Sequence, residues 1–291
     1  MAKSTALKGR IRSVQNTRKI TKTMELVATS KLKRAQDRVV AARPYAQALT
    51  EVIADLVTPE LAEAFPLLRA PEPPGKGGPV RAAVILLTSN RGLAGGFNAN
   101  LIKEARRRMA DLERDGYQPE LHAIGRKGAG FFRYLGRKPV VERADIGDKP
   151  TPGHAEEIVA PLIEAYEAGE LASVDLVHAR FESAIATPPT TLRVLPVPRP
   201  QAGASRPDYL LDPDAGSLLV KLLPQYVRNV VYRGLVETAA GEHGARRTAM
   251  KNATDNAGDI LESLKRTYNR QRQAAITQEI AEIVGGAAAL E

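Results

Sequence analysis

Apolar residues recur in a 4-3 stepping pattern from Leu7, at positions 7, 11, 14, 18, 21, 25, 28, 32, 35, 39, 42, 46, 49, 53 and 56. Twelve of these fifteen are apolar, from Leu7, Ile11 and Val14 through Leu49, Ile53 and Leu56. The exceptions are Arg18, Thr21 and Glu25. There the apolar residues move to Ile20, Met24 and Val27, as a seam drifting around a helix would show. The pattern predicts one long helix with a coiled-coil seam. About 50 residues at a helical rise span roughly 75–85 Å. Pro44 should bend or locally break this helix, and Pro59 should mark its end.

A second long helix is predicted from Asp212 as N-cap, Pro213 at the first helical position and Asp214 in the first turn. It runs through Leu218, Leu219, Leu222, Leu223, Val227, Val230, Val231 and Leu235 to Ile280, Ile283 and Val284, where Gly285-Gly286 permit a stop. Pro224 should kink it near its start, so a short helix could precede the long one. Its seam past Ala239 is small and polar, with Ala245, Ala249, Asn252, Ala253 and Asn256. Neither helix can bury its stripe alone, so the expectation is an antiparallel coiled coil joining the two chain ends.

Between them, strand-like runs alternate with helical ones. Strands are expected at 80–87, 120–124, 139–142, 174–181 and, as a possible edge strand, 191–197; helices are expected at 98–115, 128–136 and 154–168. Alternation of this kind argues for a mostly parallel sheet covered on both faces. Pro- and Gly-rich linkers flank it at 71–79 and 188–213. The predicted fold is thus α/β plus a long antiparallel coiled coil, with a Rossmann-like domain inserted between paired terminal helices. The expected divisions are a helix at 1–58, a linker at 59–79, the α/β domain at 80–205 and a helix at 206–291.

Charge sharpens the picture. Of a net +9 over 291 residues, residues 1–58 hold +8, from 12 Lys and Arg against 4 Asp and Glu. A basic stretch of this kind calls for an acidic partner: nucleic acid, anionic lipid or an acidic protein surface. The chain has no Cys, which excludes disulfides, thiolate metal sites and cysteine nucleophiles. Its four histidines, His122, His154, His178 and His243, lack ligand spacing, so no metal is expected. No apolar run approaches the roughly 20 residues of a spanning helix, and no targeting segment is visible.

Two glycine clusters sit where a nucleotide could bind. Arg91-Gly92-Leu93-Ala94-Gly95-Gly96-Phe97-Asn98 follows the first strand, and Gly125, Gly128 and Gly130 follow the second. Neither matches the dinucleotide or P-loop spacing, so tight turns with positive φ are the better reading. No nucleophile elbow, HExxH or pocketed carboxylate pair is present. The reading is a protein with no catalytic site and no cofactor.

Three segments carry a family resemblance: Ile20 to Leu32 (ITKTMELVATSKL), Ala249 to Ala257 (AMKNATDNA) and Tyr268 to Ile280 (YNRQRQAAITQEI). Together with the Arg91–Asn98 loop, they resemble the gamma subunit of F-type ATP synthase along the whole chain. The resemblance implies a central rotor, a non-catalytic subunit of the proton-transporting ATPase. Its coiled coil would turn inside a ring of three alpha and three beta subunits, and its α/β domain would meet the epsilon subunit and the membrane c-ring. It would be a peripheral protein on the cytoplasmic face of the bacterial inner membrane, held there through the complex.

The resemblance also implies site residues. Arg272 and Gln273 match a polar catch to a beta-subunit loop, with Thr277 close by. Arg246 matches an arginine used in coupling, and Met24 matches a methionine near the beta contact. The basic residues Arg18, Lys19, Lys22, Lys31, Lys33 and Arg34 are assigned to an acidic loop of beta. The apolar tail from Ile276 to Leu290 should sit in a hydrophobic sleeve of the ring. Arg247 and Thr248 depart from the family's usual residues after Arg246, which puts local packing there in question. Ala94 stands where many relatives carry Cys. The Cys-bearing chloroplast insertion is absent, which excludes thiol control. Two other classes compete. A basic coiled-coil protein that binds nucleic acid predicts salt-sensitive DNA binding through residues 8–43. A nicotinamide enzyme predicts cofactor binding to residues 80–205.

Overall fold

The computed structural model describes residues 2–69, 80–198 and 214–288. Most of both expected linkers, together with Asp212, Pro213 and Leu290, lies outside the described residues. The first helix, α1, runs Ala2–Leu56. It is followed by α2 (Pro59–Ala64) and a single 3-10 turn, Pro66–Leu68. The sheet domain comprises β1 (Arg81–Leu87), α3 (Phe97–Arg114), β2 (Gln118–Ile124), α4 (Arg126–Tyr134), β3 (Val141–Arg143), α5 (Pro152–Glu167), β4 (Leu171–Ala179) and β5 (Pro189–Leu195). The last helix, α6, runs Ala215–Ala288.

The five strands form one sheet in the order β3-β2-β1-β4-β5. β1 pairs in parallel with β2 and β4, β2 pairs in parallel with β3, and β5 is antiparallel to β4. β1 shows why the sheet is covered on both sides. Ala83, Ile85 and Leu87 enter one apolar cluster, while Ala82, Val84 and Leu86 enter another. Successive strand side chains point to opposite faces, so a run buried at every position needs a layer on each. One face is covered by α3 and α4, through Leu101, Ala105, Met109, Leu112 and Phe132. The other is covered by α5 and by the sheet-proximal parts of both long helices, through Leu49, Ile53, Leu219, Val227, Val231 and Leu235.

Contacts divide the chain into two compact units. One joins Met1–Ala28 to Arg247–Glu291, and the other is Thr29–Arg246. Within the first, the helices pair antiparallel: Lys8 Nζ lies 5.7 Å from the Tyr268 ring centre, Arg18 lies over Gly258, and Thr254 donates to Thr21 Oγ1 at 2.8 Å. Within the second, Tyr45 meets Gln225, and Ala35 and Val39 cluster with Val236 and Ala240.

Several local expectations are corrected. Neither Pro44 nor Pro224 breaks its helix. A proline costs one hydrogen bond and crowds one turn, but Ala46, Leu49 and Ile53 beyond Pro44, and Leu219, Leu223 and Val227 around Pro224, are buried and hold the helical path. Among the described residues, α6 runs through Pro224 without a separate short helix before it. Asp214 caps the described start of α6, with Ser217 N–H donating to Asp214 Oδ1 at 2.9 Å; the expected cap at Asp212 lies outside the described residues. Gly285 and Gly286 lie inside α6. The expected linker opens as folded chain, with α2 capped by Thr58 and with Leu67 and Leu68 buried.

The seam of α1 does not drift. Thr21 is buried and Glu25 half-buried, while Ile20 and Val27 are 60% and 51% exposed. The small polar pair Thr21–Thr254 closes the seam by a hydrogen bond. The apolar neighbours are left outside it.

Candidate coupling site

In the terminal unit, the seam positions Thr21, Ala28, Met250, Thr254, Ala257 and Leu261 are buried. Beyond Tyr268, every described side chain of α6 up to Val284 is exposed. Arg272, Gln273 and Thr277 all lie there. A helix presents residues three and four apart on neighbouring turns, so Gln273 and Thr277 share a face, and Thr277 Oγ1 donates to the Gln273 carbonyl at 3.0 Å. Ile276, Ile280, Ile283 and Val284 form an exposed apolar stripe on this stretch. On α1, Arg18, Lys19 and Lys22 are exposed, and Lys22 pairs with Glu25 at 3.2 Å. Met24 is half-buried beside exposed Leu26 and Val27.

The larger unit holds the remaining assigned residues, and it separates them. Lys33 pairs with Asp37 at 2.8 Å and Arg34 donates to Ser30 Oγ at 3.3 Å, both on the exposed face of α1. Lys31 instead turns inward and forms an ion pair with Asp148, in the loop between β3 and α5. Arg246 also faces inward: Nη2 donates to Glu242 Oε1 at 2.6 Å and to the Gly92 carbonyl at 3.2 Å, while Nη1 lies 3.3 Å from His243 Nδ1.

These groups gather at the carboxyl ends of the parallel strands, where an open α/β sheet usually binds its ligand. Here Leu235, Thr238, Ala239 and Glu242 of α6 occupy that crevice and leave a cavity of about 320 Å³. The glycine loops serve this packing. Gly125, at φ +108°, brings its backbone so close to Thr88 that a Cβ would lie 2.1 Å from the Thr88 carbonyl oxygen. The first three amides of α4 are taken by Asn90, Ser89 and Thr88. In the other loop the positive φ falls on Leu93 and Gly95 rather than Gly92 or Gly96. Asn98 accepts from Ser89 N–H at 2.9 Å and binds the loop to the helix that follows.

Burial sets the electrostatics. His243 is 2% exposed, and its pKa is pushed down to about 4, chiefly by burial, so it is neutral at pH 7. Glu242 is raised by burial against the pull of Arg246. Burial also pushes Asp148 up, but its bond to Lys31 and the neighbouring cations hold it below the usual carboxylate range. The sequence reading missed Asp148, His243 and Glu242. The spacing of Glu242 and His243, four and three before Arg246, was visible on a helix, whereas Asp148 lies about a hundred residues away in sequence.

Fold and site together define a coiled-coil α/β protein whose sheet crevice holds its own last helix. A family model for ATP synthase matches residues 3–290. The ATP synthase gamma chain of Gemmatimonas aurantiaca is 58% identical over 294 residues, with 100% of both chains covered. That of Desulfitobacterium hafniense is 45% identical over 291 residues, again with 100% of both covered. The fold is similar to that of a rotor chain in Euglena gracilis mitochondrial ATP synthase, with TM-score 0.64, 17% identity, and 94% of this chain and 99% of that chain covered. The chain belongs to the ATP synthase gamma-chain family. The nucleic-acid-binding alternative has no support from these relatives.

Proposed function

We propose that the chain turns as the central-stalk rotor of ATP synthase inside a ring of three alpha and three beta subunits, and passes rotation to the epsilon subunit and the membrane c-ring. It carries out no bond chemistry of its own. It is a peripheral part of the complex, at the cytoplasmic face of a bacterial inner membrane; no described helix is long and apolar enough to cross a membrane.

One observation carries this reading: apolar side chains stand exposed on the paired helices, Ile20, Leu26 and Val27 on α1 and Ile276, Ile280, Ile283 and Val284 on α6. Exposed apolar groups of this extent mark an interaction surface, and a surrounding sleeve of subunits covers them. A pair of helices has no three-fold symmetry, so three otherwise identical ring sites meet three different faces of it. Differential contact with those faces changes nucleotide affinity as the shaft turns.

Arg272 and Gln273 supply a charged and a polar donor to a beta-subunit loop, with Thr277 beside them. Arg18, Lys19, Lys22, Lys33 and Arg34 face an acidic beta loop, and Met24 lies against the same contact. Lys31 and Arg246 act from within the chain, because their partners lie inside it. Mixing this chain with purified alpha and beta subunits tests the reading. The expected product is a 3:3:1 complex by native mass spectrometry, with ATP hydrolysis that depends on the chain. Salt-sensitive DNA binding without a complex would overturn it.

A further inference from the structure

Both long helices must stay fixed to the α/β domain if turning one is to turn the other. Much of their contact is apolar, through Leu49 and Ile53 of α1 and Val227, Val231 and Leu235 of α6. Apolar burial is non-directional, so it resists separation far better than sliding. On α6, close backbone contact adds a key: a Cβ at Gly244 would lie 2.9 Å from the Ala184 carbonyl oxygen. For α1, two directional contacts converge on one residue of the domain. Lys31 forms an ion pair with the Asp148 carboxylate, and Arg38 Nη1 donates to the Asp148 carbonyl at 3.0 Å.

Asp148 also faces α6. His243 Nε2 is buried without a hydrogen-bond partner and lies 3.4 Å from Asp148 Oδ1. The loop that carries Asp148 is itself pinned to the sheet. Asn90 Nδ2 donates to the Ala144 and Ile146 carbonyls at 2.9 and 3.0 Å, and Asn90 Oδ1 accepts from Arg126 N–H at 3.0 Å. Arg143, at the end of β3, bridges Asp145 and Glu157. One carboxylate on a braced loop therefore touches both long helices.

We propose that Asp148 is a positioning residue for rotary coupling: it locks α1 in register with the α/β domain, beside the His243 face of α6, so that torque on the helices is not lost as slip. The proposal rests on the rotor reading above. The Lys31 ion pair and the Arg38 hydrogen bond are directional, so on α1 this lock opposes the sliding that the apolar contacts permit.

The test uses the whole ATP synthase in membrane vesicles and reads protons pumped per ATP hydrolysed. Asp148→Ala and Asp148→Asn should lower that ratio by about fivefold or more, while ATP hydrolysis persists. The exchange Lys31→Asp with Asp148→Lys should restore at least half of the ratio. A ratio unchanged in Asp148→Ala would overturn the proposal, and so would an exchange that couples no better than the single variants. If Asp148→Ala does not assemble, recovery of assembly and ratio in the exchange supports the lock, and its failure counts against it. Failure of the unaltered chain to form an ATP-hydrolysing complex would instead remove the rotor reading itself.

Discussion

Burial decides charge at His243. An unfolded histidine titrates near 6.5, and the native one only at about 4. Between those values the unfolded chain binds a proton that the native chain refuses, so stability falls as pH drops through that window. The full loss is about 3 kcal/mol. His122, lowered mainly by burial, acts in the same direction. Melting temperature should therefore fall between pH 7 and 4.5, and His243→Gln should flatten part of that slope. Identical slopes in the two proteins would show that native His243 takes up its proton freely. The histidine's place on a helix was legible from sequence. Its environment was not, because Asp148 and Lys31 reach it from two distant stretches of chain.

At the scale of elements, periodicity proved a stronger signal than the residues that seem to break it. The 4-3 steps of α1 match its buried face closely, and Thr21 and Glu25, read as gaps, lie in the seam itself. For the same reason proline does not break either helix: its cost is local, while packing acts along many turns. Pro44 is exposed, so Pro44→Ala restores a backbone donor and removes ring crowding without touching the core. It should raise stability by about 1–3 kcal/mol in denaturant unfolding. A loss of stability would mean that the proline sets the path of the helix. Among the strands, β3 is the shortest at three residues and came out shifted from its expected range. An edge strand carries too few buried positions to announce its limits.

For the whole molecule, the proposed rotor works through surfaces rather than through a pocket. The assigned residues fall into an outward set, Arg272, Gln273, Thr277, Arg18, Lys19, Lys22, Lys33 and Arg34, an inward pair, Lys31 and Arg246, and the half-buried Met24. Sequence alone could not divide them, because a lysine on a helix reads the same whether it meets solvent or a distant aspartate. The outward set makes its own prediction. Arg272→Ala and Gln273→Ala, each removing an exposed side chain, should leave melting unchanged but reduce ATPase turnover of the assembled complex by about tenfold, the worth of one charge-assisted hydrogen bond. Wild-type turnover in both variants would remove these residues from the contact.

The sequence by itself determined the two long helices, their antiparallel pairing, the covered parallel sheet and the family, because each rests on periodic burial or on contiguous motifs. Only the tertiary structure decided that the ligand crevice of the sheet is filled by the chain's own helix, and that Asp148 meets Lys31, Arg38 and His243 there. Those contacts join residues about a hundred positions apart. No local pattern records them, since they arise from how the packed layers bring loop ends and helix faces together.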